Sequence, residues 1–265
     1  MLRYFSLILI ASFVISCARV PVTGRKQLNM LPESELMSLS LTNYQAFLSE
    51  NTVVNASNAK AKQVKTVGAN MAEAVEKFLA TEGQSKRIKN YTWEFNLVQD
   101  DVVNAWCMPG GKVVVYTGLL PVAQDETGLA VVMGHEIAHA IARHGNERMS
   151  QLLLVQAGGI GLAVAMSDKP KLTQDLFMTA YGVGSILGTL KYSRKHESEA
   201  DKMGLVFMAL AGYNPERAVE FWERMGATGG SRPPEILSTH PSSDTRISDI
   251  QEFLPIAMTY YKPKE

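Results

Sequence analysis

Three of the five histidines in the chain fall within one short run, "VVMGHEIAHAIARHG", Val131 to Gly145. His135, Glu136 and His139 form an H-E-x-x-H pattern inside an apolar stretch that includes Val131, Val132, Met133, Ile137, Ala138 and Ile141. Burying two imidazoles beside a carboxylate is costly unless a partner compensates. On a helix, positions i and i+4 share one face, so His135 and His139 project together and can both reach one zinc ion at about 2.1 Å. Glu136, rotated by about 100°, lies near such an ion without joining it. There it can take a proton from water whose pKa zinc has lowered to about 7, and pass it to a leaving amine. A chance match in a chain of this composition is on the order of one in a hundred, and a solvated surface helix would not have these neighbours.

A third protein ligand is needed. Patterns with a further histidine close behind require glycine at position 142 and histidine at 145, where this chain has Ala142 and Gly145. His144 stands nine residues after His135, roughly 900° around a helix, which predicts a surface or second-layer residue. "YSRKHESEADKMG", Tyr192 to Gly204, offers Glu197 and Asp201, four apart and on one face. One carboxylate can bind zinc while the other accepts the free ring N–H of a ligand histidine. Glu199, about 200° from Glu197, is expected to face elsewhere, and His196 to be a bystander.

"GHEIAHAIARH", "SRKHESEAD", "THPSSDTR" and "NAWCMPGGKVVVYTGLL" together resemble the motifs of metallopeptidase family forty-eight, over a span from about Pro21 to the helix after Arg246. The resemblance implies an α+β, mainly helical gluzincin fold with a small antiparallel sheet beside the H-E-x-x-H helix. It implies one Zn2+ per chain held by His135, His139 and Glu197, with Glu136 as catalytic base and Asp201 as the carboxylate behind a ligand histidine. It also implies a role at the metal for His240, otherwise a loop histidine. His240 is either a reversible fourth ligand, the reading favoured here, or an oxyanion donor. Arg246 would order that loop through a carboxylate or assist the oxyanion. The chain lacks the membrane spans and helical-repeat tail of other branches, so it is most similar to the stand-alone periplasmic lipoprotein type. The implied activity is hydrolysis of peptide bonds in unfolded or misassembled cell-envelope proteins, with polypeptide substrates and envelope protein partners. The alternative is a chaperone or assembly factor for outer-membrane proteins with a largely latent zinc site.

Elements must hold these residues in place. Hydrophobic spacing predicts helices at about Glu33–Ser49 and Ser57–Ala80, the second with Val64, Val67, Met71, Val75 and Leu79 on one face. "YTWEFNLV", "VNAWCM" and "KVVVYTG" read as strands, the last two separated by Pro109-Gly110-Gly111. Asp125 is a plausible N-cap for the histidine-bearing helix. Gln151–Met166 and Phe177–Leu190 read as core helices too short to span a bilayer. Further helices are expected at Lys195–Ala211 and from Pro215, with Ser242 or Ser243 capping a last one. Substrate backbone would add to a strand edge, either Asn104–Cys107 or Lys112–Tyr116. Cys107 reads as a packed thiol.

The bulk numbers fit one globular domain: 265 residues, 46% hydrophobic and 20% charged. A formal net charge of +0 leaves no electrostatic footprint for nucleic acid. "MLRYFSLILIASFVISC" has Arg3, a short apolar run and a small residue before Cys17, which reads as a signal peptide ending at a lipidated cysteine. The expected organisation is a signal peptide over 1–16, a lipidated tether over 17–32 and a zinc metallopeptidase domain over 33–265. The expected location is the bacterial cell envelope, periplasmic and lipid-anchored to the outer membrane.

Overall fold

The computed structural model describes residues 17–156, 170–181, 192–228, 234–240 and 245–263. The expected signal segment, parts of the apolar runs Gln151–Met166 and Phe177–Leu190, and the candidate caps Ser242 and Ser243 lie outside the described residues.

The stretch read as a tether is folded. Strands β1 (Cys17–Arg19) and β2 (Lys26–Leu28) pair antiparallel, Cys17 opposite Leu28. The proline and glycine that suggested a linker make the turn between them, where Gly24 adopts φ +66° and donates to the Val20 carbonyl. Val20 enters the main core, and Gln27 is buried with its amide donating to the Ala142 carbonyl at 2.7 Å. Burial of that valine and amide ties the hairpin to the body.

Helix α1 (Glu33–Glu50) buries Leu36, Ser40, Tyr44 and Phe47, a three- and four-residue spacing. Helix α2 (Ala59–Thr81) buries the expected face, and the Asn58 side chain caps it by accepting from the Lys60 amide. A three-stranded sheet follows, made of β3 (Glu94–Val98), β4 (Ala105–Met108) and β5 (Lys112–Tyr116) in the order β3-β5-β4. The sheet is mixed rather than antiparallel. β4 and β5 form a hairpin through Gly110 and Gly111, both at positive φ, while β3 pairs parallel to β5. The apolar run Val113–Val115 is fully buried and takes the centre, as suits a strand covered on both faces. Cys107 is a free, buried thiol in β4.

Helix α3 (Glu126–Ala142) carries H-E-x-x-H. Asp125 caps it, accepting from the Gly128 amide at 2.8 Å, and every residue from Gly128 to Ala142 is buried. Arg143 then adopts a left-handed conformation, φ +59°, and α4 (His144–Gln156) starts in a new direction. Next come α5 (Pro170–Tyr181), α6 (Arg194–Leu210) capped by Ser193, α7 (Arg217–Ala227), a short helix at Glu235–Thr239 and α8 (Arg246–Met258).

Two glycines govern the packing of α6 on α3. A Cβ at Gly204 would stand 2.9 Å from the His135 backbone nitrogen, and one at Gly134 would stand 3.1 Å from the Gly204 carbonyl oxygen. Only without side chains can the backbones approach this closely. The contact lies one residue from His135, so it sets how near α6 brings its carboxylates. No described helix is long and apolar enough to cross a membrane.

Candidate metal centre

His135, His139, Glu197 and His240 converge, with one potential ligand atom from each within 4.8 Å of the others. All four are buried, between 2% and 5% exposed. The Nε2 atoms of His135 and His139 are 3.1 Å apart, and Glu197 oxygens stand 3.4 Å from each. His240 Nδ1 is 3.4 Å from His135 Nε2 and 3.1 Å from Glu197 Oε1. Four ligands at about 2.1 Å around a tetrahedral ion lie roughly 3.4 Å from one another. Glu197 Oε2 and Glu136 Oε1 are buried without a hydrogen-bond partner, and such atoms in a native interior call for an ion or water. The donor set and its spacing fit a metal ion.

Asp201, one turn after Glu197 on α6, stands behind His135 and not at the cluster. His135 Nδ1–H donates to Asp201 Oδ1 at 2.8 Å, which leaves Nε2 as the nitrogen facing the other donors. Arg246 Nη2 donates to the same Asp201 oxygen at 2.6 Å, and its guanidinium lies 3.3 Å over the Trp222 ring. Burial works to raise the Asp201 carboxyl, but Arg246 and His135 outweigh it and hold the group below its ordinary value. Burial likewise works to lower His135, and Asp201 with Glu197 more than offsets this, lifting it to about 9. Arg246 thus pairs with Asp201, its Nη2 also 3.3 Å from His135 Nδ1, and its Nη1 stands 4.0 Å from Glu197 Oε2.

Glu136 follows His135 on α3 and turns towards His240, whose Nε2 is 3.8 Å from Glu136 Oε2. Burial pushes the Glu136 carboxyl above its usual range. His240 ends the short Glu235–Thr239 helix, its amide donating to the Ile236 carbonyl. The Tyr192 ring packs against both His139 and His240, 4.1 and 4.9 Å between centroids, and the Arg148 guanidinium covers it at 3.9 Å.

His144 is fully buried, with Nδ1 2.9 Å from His139 Nδ1. Of the two expected places, surface or second layer, it takes the second, and it comes back to the His139 side because α3 stops at Ala142 and Arg143 is left-handed. Burial lowers the His144 imidazole to about 4, so it is neutral at pH 7. Glu199 faces away from Glu197 as expected, yet into a buried polar group, 3.0 Å from His144 Nε2. His196 is no ligand; it stacks on His144, and its Nε2 donates to Glu147 at 3.2 Å. Sequence reasoning missed the places of Arg25, Glu147 and Tyr192. The signals it had were the basic residues of the supposed tether, Arg25 among them, and the position of Tyr192 at the head of the carboxylate-bearing stretch.

The model of peptidase family M48 matches residues 58–254. The chain is 36% identical over 189 residues to the mitochondrial metalloendopeptidase OMA1 of Schizosaccharomyces pombe, covering 71% of this chain and 53% of that protein. It is 29% identical over 268 residues to the mitochondrial metalloendopeptidase OMA1 of Homo sapiens, covering 97% of this chain and 49% of that one. The beta-barrel assembly-enhancing protease of Escherichia coli is 32% identical over 165 residues, 59% of this chain and 33% of its own length. The chain thus spans about half or less of the length of these relatives.

The comparisons correct the expected location. Relatives at 29–36% identity are named as mitochondrial proteins, which overturns the placement in a bacterial periplasm at the outer membrane. A basic residue and a short apolar run drive membrane targeting in general and do not specify which membrane. Acylation at Cys17 and envelope partners belong to that placement and lose its support. The catalytic class expected from the motifs is the one these relatives' names carry, metalloendopeptidase, and the family match places the chain: it belongs to peptidase family M48.

Proposed function

We propose that the chain is a zinc-dependent endopeptidase that cuts unfolded or misassembled polypeptides, with His135, His139 and Glu197 as the ligands and Glu136 as the base. The observation that carries this reading is the convergence of two imidazoles and a carboxylate at tetrahedral spacing beside the orphaned Glu136 oxygen. A zinc ion there supplies Lewis-acid polarisation of the scissile carbonyl and acidifies the attacking water. Glu136 accepts that water's proton and returns it to the departing amine; burial, by raising its pKa, makes it a stronger base. Asp201 holds the His135 ring in the tautomer that presents Nε2. Of the two candidate strands, β5 is paired on both sides, so the outer edge of β4 is the one open to an extended substrate among the described residues.

His240 is the proposed fourth ligand. Its Nδ1 stands 3.1 Å from Glu197 Oε1 and 3.4 Å from His135 Nε2, at ligand spacing. As a ligand it would occupy the position a substrate carbonyl needs, and its release would free that position. A histidine so placed also favours a second reading, an assembly factor that binds client polypeptides and seldom cuts them.

The full chain, loaded with zinc, is tested on unfolded casein with and without a chelator. Cleavage that the chelator abolishes, and that Glu136→Gln abolishes with zinc retained, is the expected result. His240→Ala should cut faster than the parent. A large fall in turnover with zinc bound would make His240 an oxyanion donor instead, whose loss typically costs about 10²–10³. Binding of casein with no cleavage by parent or His240→Ala would establish the assembly-factor reading.

A further inference from the structure

Among the described residues no carboxylate stands against the outer nitrogen of His139; His144 does. Glu199 Oε2 lies 3.0 Å from His144 Nε2, and an ionised carboxylate only accepts, so that nitrogen carries the hydrogen. Two N–H groups cannot face each other at hydrogen-bond distance, and on the zinc reading His139 keeps its Nε2 lone pair for the ion, so its hydrogen is on Nδ1 and His144 Nδ1 bears a lone pair. His144 Nδ1 lies 2.9 Å from His139 Nδ1, which must then be the donor. The hydrogen on His139 Nδ1 leaves its Nε2 with a lone pair aimed at the cluster. The tautomer of a ligand is thus set by a carboxylate two residues removed from it in the contact chain.

Glu199 is itself held from outside. Arg25 Nε donates to Glu199 Oε2 at 2.8 Å, and the Thr23 hydroxyl donates to Oε1. The rest of the Arg25 guanidinium forms a two-pronged pair with Glu147, both bonds 2.7 Å. Paired on both sides and largely withdrawn from solvent, Glu199 stays ionised and keeps one orientation. Both Thr23 and Arg25 lie in the β1–β2 hairpin, far from any metal-binding motif.

We propose that His144 and Arg25 are positioning residues of the metal centre: Arg25 fixes Glu199, Glu199 fixes His144, and His144 holds His139 with Nε2 free to ligate. The inference rests on the zinc reading above. It makes the N-terminal hairpin part of the site, although no hairpin residue reaches the ligands.

The test is zinc affinity of the full chain, by competition with a chromogenic chelator well below the unfolding temperature. His144→Phe keeps a ring stacked on His196 and loses the acceptor; His144→Asn loses the ring and keeps an amide oxygen as acceptor. A positioning role predicts that His144→Phe binds zinc about 10–100-fold more weakly than the parent, and that His144→Asn stays within a few fold. Arg25→Ala should weaken binding about tenfold. In zinc-loaded parent, the imidazole nitrogen resonances of His139 should report a protonated Nδ1, and its exchange with water should quicken in each weakened variant. A packing role reverses the order of the two His144 variants, and that reversal overturns the inference. So does parent-like affinity in both His144→Phe and Arg25→Ala, with the zinc reading intact. A parent that takes up no zinc overturns the zinc reading and this inference with it. Should His144→Phe fail to fold, Arg25→Ala and His144→Asn decide the matter.

Discussion

The two histidines of H-E-x-x-H are backed in different ways. Behind His135 stands Asp201, in direct contact, with Arg246 stacked on Trp222 behind it. Behind His139 stands another histidine, then Glu199, then an arginine from the N-terminal hairpin. Helix α6 serves both sides, presenting Glu197 to the cluster, Asp201 to one flank and Glu199 to the other. The first backing is compact and closed by one buried ion pair. The second needs three elements, α4, α6 and the hairpin, to be in place together. A short contact chain tolerates little loss at any link, whereas a long one spreads the cost of losing its outer members.

The largest effect is expected at the compact side. Asp201→Ala leaves the Arg246 guanidinium buried without its carboxylate, and breaking a buried pair in this way costs about 3–5 kcal/mol. Urea denaturation should show that loss, and metal analysis should show depleted zinc. Stability within about 1 kcal/mol of the parent would mean that the ion pair is not buried in solution.

Gly204→Val attacks both sides at once, since its side chain would push α6 off α3 at the His135 backbone. Overpacking of this kind costs about 1–3 kcal/mol, and the displaced carboxylates should lower zinc affinity more than Asp201→Asn does. A variant at this position that melts and binds zinc like the parent would show that the glycine contact does not set the site.

Matched carboxylate-to-amide changes sharpen the contrast. Asp201→Asn should weaken zinc binding by on the order of 10–100-fold, because it touches a ligand directly. Glu199→Gln, acting through His144, should weaken it less. The reverse order in the same chelator competition would make the His139 side the dominant one.

The smallest effect is in pH dependence. Burial works to raise Glu147, but Arg25 and His196 outweigh it and hold the carboxyl well below its ordinary 4.5. A group with a depressed folded pKa contributes stability that is present above its unfolded value and lost as pH falls through the folded one. Glu147→Gln removes that contribution, so between about pH 4.5 and more acid conditions its stability should fall less steeply than the parent's. Parallel acid limbs in thermal melts of the two proteins would remove Glu147 from the acid-sensitive groups.

Much of this was legible in residue spacing. The i, i+4 relation put His135 with His139, and Glu197 with Asp201, because helical geometry is local and 3.6 residues per turn is nearly invariant. The helices near Glu33, Ser57 and Lys195 were visible for the same reason. Where a local rule was carried past its domain its geometry did not hold: the turn count put His144 on the opposite helix face, assuming a helix that Arg143 ends, although the second-layer place it allowed is the one His144 takes. Proline and glycine around Pro21–Gly24 read as a tether, since a tight turn and a loose linker draw on the same residues.

The sequence by itself determined the chemistry, a metal-binding pair with its base and a carboxylate pair, because each is encoded within one helix. Only the tertiary structure decided which partners stand behind those residues. It set the strand order that leaves β4 at the edge and placed His240 against Glu197. It brought Arg25 to Glu199, 174 residues away along the chain. Such contacts depend on how whole elements pack, on glycines that let two helices touch and on a hairpin docked by a buried valine, a buried amide and the Arg25 ion pairs. No periodicity in the sequence records a distance between elements.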